Sequence, residues 1–186
     1  MTTQAWLCGS LVISTVLCSL VGGLVFTFAI VVMPGIATLD DRAFLRAFQV
    51  MDGVIQNNQP VFMFVWLSSI PALLIAGGVS VFGSGDMVVR MLGALATALY
   101  IFGVQWPTKT INIPLNNALK HMQLDLMSDA ELRTARVQFE APWVKWNAIR
   151  TAFALITTTL LIIIALRVNG GGGGQHRAAE RYTPIP

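Results

Sequence analysis

The sequence predicts an all-α fold: a bundle of four transmembrane helices, with short amphipathic helices in two long loops on one face. Three observations carry this. Four apolar stretches, at about residues 5–33, 61–81, 87–106 and 148–168, each reach the roughly 20 residues at ~1.5 Å rise that cross a hydrocarbon core. The chain of 186 residues is 55% hydrophobic and only 11% charged, with a mean hydropathy of +0.68, more apolar surface than one soluble core of this size can hide. The stretches are also unbroken, whereas barrel strands would read as alternating segments of ~10 residues.

The first stretch has no Lys or Arg before it, runs long, and reaches Pro34-Gly35 without a small-residue cleavage site, so it reads as a span and not as a signal peptide. Cys8 and Cys18 lie ten residues apart on it, about 15 Å by helical rise, too far for a disulfide. With Ser10, Ser14 and Gly22 they form a small-residue stripe that suits close helix contact, within the chain or in a homo-oligomer.

The first long loop carries Phe44, Ala47, Phe48, Met51, Val54 and Ile55 at helical spacing, with Arg42, Arg46, Gln49 and Gln56 on the other side. An amphipathic helix at the interface follows. Asp52 falls at the border of its apolar face. It is either a boundary carboxylate, paired or solvated, or a partly desolvated base with a raised pKa.

Pro107 and Pro114 bracket the end of the third span, and each removes a backbone donor, so residues 108–112 depart from ideal helix. Asn112 and Asn116 either satisfy that broken backbone or point their amides at a ligand carbonyl or hydroxyl. In the second long loop, Ser128 to Glu131 has capping-box spacing, and Leu132, Ala135 and Phe139 continue a helix as far as Pro142. Trp143, Trp146, Asn147 and Arg150 then fall at i, i+3, i+4 and i+7 on one face of the fourth span. Two indoles beside an amide and a fixed cation suit a flat aromatic ligand with phenolate or carbonyl oxygens. Gly170 to Gly174 are expected to stop that helix, dividing a membrane domain of residues 1–168 from a flexible tail, 169–186.

An even number of crossings puts both termini on one side and both long loops on the other. The loop side holds eight Lys/Arg and the terminal side four. The positive-inside rule then favours cytoplasmic loops, but the loop side is also longer, so orientation stays open. The net charge of +3 is scattered, with no basic stripe, which argues against nucleic acid. His121 and His176 are the only histidines, with no CxxC or HExxH, so a haem or histidine-rich metal centre has little to stand on, and only a metal held by carboxylate and amide oxygens stays open.

Met33-Pro34-Gly35, Phe48-Gln49-Val50-Met51-Asp52, Asn112-Ile113-Pro114-Leu115-Asn116 and Trp143-x-x-Trp146-Asn147-x-x-Arg150 together resemble the anthrone oxygenase-like family of small four-helix membrane proteins, over nearly the whole chain. One departure is that Gln59 separates Asn58 from Pro60, where the family often has an Asn-Pro pair. The resemblance implies oxidation of an anthrone by dioxygen without a cofactor. Asp52 would be the base, Arg150 with Asn112 and Asn116 the oxyanion donors, and Trp146 the stacking ring; Trp143, Asn147 and Gln49 complete the substrate-binding set. The bound partner would be a hydrophobic aromatic small molecule. The rival from the residues alone is a non-catalytic membrane module that binds a lipid, quinone or partner subunit. A transporter ranks third, since no charge lies at mid-depth and no inverted repeat is evident.

Overall fold

The computed structural model describes residues 3–180, with side chains from 4 to 170. Five helices account for most of it: α1 (Gln4–Ile36), α2 (Asp41–Gln56), α3 (Pro60–Gly83), α4 (Met87–Lys120) and α5 (Asp129–Glu180), with a 3-10 turn at Leu124–Leu126 before α5. All but α2 are long and apolar enough to cross a membrane, as in a multi-pass membrane protein.

Local chemistry sets the helix starts. Asp40 accepts from the Ala43 N–H at 2.9 Å and Asp86 from the Val88 N–H at 2.8 Å, opening α2 and α4. At the head of α5 the capping box is reciprocal: Ser128 N–H donates to Glu131 at 2.7 Å and Glu131 N–H to Ser128 Oγ at 3.4 Å. Asn58, at φ 58°, closes the α2–α3 turn in the left-handed region that Asn tolerates. It and Asn57 are exposed and serve as a helix stop.

The spans pack in the ring order α1, α3, α4, α5, with α5 closing back on α1. The membrane core joins Leu11, Cys18, Leu73, Tyr100 and Ile164, and both cysteines are free. On the small-residue stripe, Ser14 and Cys18 are buried within the chain, and a Cβ on Gly22 would meet Ala154 at 3.5 Å. The α3–α4 crossing is closer still: a Cβ on Gly77 would lie 2.1 Å from Thr97 Oγ1, and one on Gly93 2.5 Å from Ser80 Cβ. Large apolar side chains such as Phe64, Phe102 and Leu166 stay exposed, where lipid costs them nothing.

A second core at the loop face joins Met33, Phe44, Phe48, Leu119, Phe139 and Trp143. It roofs the bundle, and Arg42 ties it down by donating to the carbonyls of Leu124 and, at 2.8 Å, Met127.

Three π-helical turns interrupt the spans, at Phe28–Val32, Ile101–Gln105 and Thr108–Asn112. Each ends two residues before a proline: Pro34, Pro107 and Pro114. A helical proline lacks its N–H and crowds the carbonyl four residues back. The wide turn relieves both, because the residue before the proline bonds one position further back, as Trp106 N–H does to the Ile101 carbonyl and Ile113 N–H to that of Thr108.

Four expectations need correction. The third span does not end near residue 106: with its prolines absorbed by π turns, α4 continues to Lys120. Pro142 does not separate a loop helix from the fourth span, because α5 runs through it. Leu132, Ala135, Phe139 and Trp143 form one buried stripe across it, and burial at ~1.5–3 kcal/mol per large apolar side chain outweighs the ~3 kcal/mol of a helical proline. The glycine run also lies inside α5, which extends to Glu180; glycine lowers helix stability without forbidding it. The His176 side chain and residues 181–186 lie outside the described residues. Lastly, the inward face of α2 is offset from its expected position. Phe44 and Phe48 are buried as expected, but Leu45 and Asp52 join them while Val54 is exposed, since a membrane interface does not penalise an exposed valine.

Candidate active site

Two polar clusters meet around Trp143, where α2, α4 and α5 converge. The upper one centres on Asp52, 5% exposed, in a pocket of about 130 Å³ with Gln49, Gln56, Asn116 and Lys120 in its lining. Its carboxylate accepts from Gln56 Nε2 and, at 2.8 Å, from Asn116 Nδ2. Burial pushes the Asp52 pKa up, and the donors Gln56 and Asn116 and the charge of Lys120 pull part of the way back. Gln49 donates to the carbonyls of Leu119 at 2.8 Å and Met122 at 3.1 Å. It therefore caps the end of α4 as well as lining the pocket.

The lower cluster centres on Arg150, also 5% exposed. Its guanidinium donates to Thr108 Oγ1 at 3.0 Å and Asn147 Oδ1 at 2.8 Å. Asn147 in turn donates to the Val25 carbonyl at 2.9 Å. No carboxylate forms an ion pair with Arg150 among the described residues, and its Nε lacks a hydrogen-bond partner. Asn112 sends its NH2 to the Trp143 carbonyl at 3.4 Å and leaves its Oδ1 buried and unpartnered. A buried cation held only by neutral oxygens, and an idle acceptor one helical turn from its Thr108 partner, make an incomplete arrangement.

Trp143 joins the two clusters. Its indole N–H donates to Asn116 Oδ1 at 2.8 Å, and the Arg150 guanidinium lies 5.7 Å from its ring centroid, within cation–π range. Among the candidates read from the sequence, Asp52, Gln49, Asn112, Asn116, Trp143, Asn147 and Arg150 thus gather in one region. Trp146 stands apart. It is half-buried and lines an apolar groove of about 350 Å³ on the α4–α5 seam with Phe102, Gly103, Pro107 and Phe153, because three residues of helix turn it about 60° away from Trp143.

Three participants were not singled out in the sequence: Gln56, Lys120 and Thr108. Each is four residues from a candidate on the same helix (Asp52, Asn116 and Asn112), so helical periodicity carries the signal once α4 is read through its prolines. Asn57 and Asn58 take no part. Among the described residues no three His, Cys, Asp or Glu side chains converge.

The family model for anthrone oxygenase matches residues 60–160, more than half of the chain. The matched stretch holds Asn112, Asn116, Trp143, Asn147 and Arg150; α2, with Asp52 and Gln49, precedes it. No curated protein and no solved structure matches. The chain belongs to the anthrone oxygenase family.

Proposed function

We propose that the protein is a membrane-embedded oxygenase that oxidises an anthrone-like polycyclic phenol with dioxygen as co-substrate and without a cofactor. The observation that carries the reading is the buried Arg150, with which no carboxylate forms an ion pair among the described residues, joined through Trp143 and Asn116 to a desolvated carboxylate. Asp52 takes a proton from the acidic ring methylene. The delocalised anion, its charge on the ring oxygen, rests on Arg150 and the amides. It passes one electron to dioxygen, the two radicals join as a peroxide anion that takes the proton back from Asp52, and the O–O bond of that hydroperoxide breaks as the second methylene hydrogen leaves as a proton to the departing hydroxide. The products are one quinone carbonyl and one water. Preorganised donors in a dry site stabilise the oxyanion more than water does.

The pocket at Asp52 is smaller than the on-the-order-of-300 Å³ sites that hold drug-sized ligands, so a tricyclic substrate requires α2 to move outward. The same small size favours the second reading, a non-catalytic module that binds a lipid, quinone or partner subunit. An anaerobic experiment separates them. Mixed with an anthrone in lipid discs without dioxygen, the wild type is expected to generate the visible absorbance of the substrate anion, and Asp52→Asn is not. Equal absorbance in both would remove Asp52 as the base, and none in either would leave the binding module.

A further inference from the structure

Trp143 has no free face for a ligand. The rings of Phe28, Phe48 and Phe139 stand 5.7, 5.1 and 6.3 Å from its own, the Arg150 guanidinium lies over it, and it is 4% exposed. What it does present is one N–H, which can only donate, aimed at Asn116 Oδ1 at 2.8 Å. An amide has one end that accepts and one that donates, so this bond leaves Asn116 a single orientation, with its NH2 toward Asp52 Oδ1 at 2.8 Å. Flipped, the amide would set oxygen against carboxylate.

We propose that Trp143 is a positioning residue: its indole N–H locks the Asn116 amide in the orientation that donates to Asp52 and so favours the ionised carboxylate. Its importance for turnover rests on reading Asp52 as the base; the locking does not. Asp52 faces Gln56 on its own helix and Asn116 and Lys120 on α4, and α5 contributes no charged group to the pocket lining. Lys120 is the one charged side chain besides Asp52 among those lining residues. Of the side chains on α4 that oppose the burial of Asp52, only Asn116 can turn from donor to acceptor by rotating.

The test reads the protonation of Asp52 directly, as its carboxyl infrared band against pH in lipid discs, assigned by its loss in Asp52→Asn. Trp143→Phe keeps an aromatic ring and removes the N–H; the Asp52 midpoint is expected to rise by about one pH unit. Asn116→Ala should raise it similarly, and the double variant no further than Asn116→Ala alone, because the indole acts only through the amide. If the oxygenase reading also holds, the acidic limb of kcat moves by the same amount; a midpoint that moves without any turnover separates the two claims. A wild-type midpoint in Trp143→Phe, or single shifts that add in the double variant, would overturn the proposal. Should Trp143→Phe fold poorly, 3-benzothienylalanine at position 143 keeps the ring shape without the N–H. It is expected to raise the midpoint equally, and a wild-type midpoint there would overturn the proposal in the same way.

Discussion

The ionisable residues of the site are held in states that cost stability. Asp52 has its pKa raised by burial, only partly offset by Gln56, Asn116 and Lys120. A carboxyl that binds its proton more tightly folded than unfolded contributes stability at low pH, and that contribution is lost as pH rises from the unfolded value of ~3.9 through the folded one. Asp52→Asn is therefore expected to match the wild type at low pH and exceed it at neutral pH, while turnover is lost. The gain is at most about 1.4 kcal/mol for every pH unit that separates the folded from the unfolded pKa. Denaturant unfolding from acid to neutral pH measures this, and a gap independent of pH would contradict it. Such a trade of stability for activity is usual at sites that need a strained group. Most of the polar residues were legible in the sequence from their chemistry and spacing. Their partners were not, because whether Trp143 stacks on a ligand or on Phe28, Phe48 and Phe139 depends on how the surrounding helices pack.

At the scale of elements, apolar length revealed the four spans, and the Ser128–Glu131 box located the head of α5. The misreadings share a cause. Proline and glycine were taken as stops, yet Pro107, Pro114, Pro142 and the glycine run all lie inside helices. At Pro107 and Pro114 a broken helix in lipid has no water to turn to, so the chain widens a turn and continues, while Pro142 is carried by the buried stripe across it without a widened turn. The face of α2 was partly legible: Phe44 and Phe48 are inward as read, but a membrane interface does not penalise the exposed Val54, so apolar spacing alone did not place Leu45 and Asp52 beside them. Helix contact brings its own prediction. Gly93→Val at the α3–α4 crossing is expected to destabilise by about 1–3 kcal/mol through overpacking. Gly23→Val, whose Cβ would meet nothing within 4 Å, should stay within about 0.5 kcal/mol. Thermal unfolding in detergent checks the pair, and equal losses would mean that the crossing is not tight.

The whole molecule is lopsided. One end is a short turn, clamped where Arg167 meets Asp86 at 2.6 Å. The other is roofed by α2, the second aromatic core and the projecting start of α5, and the polar clusters lie beneath that roof. This arrangement suits a substrate that dissolves in the bilayer and must be deprotonated away from bulk water. The most direct test is dioxygen uptake with quinone formation by purified protein in lipid discs supplied with a simple anthrone. Arg150→Gln, confirmed folded, serves as the baseline, since removing an uncompensated buried charge need not unfold the bundle. The account predicts uptake and quinone in equal amounts above that baseline for the wild type, and only spontaneous autoxidation for the variant. Equal rates in both would contradict it.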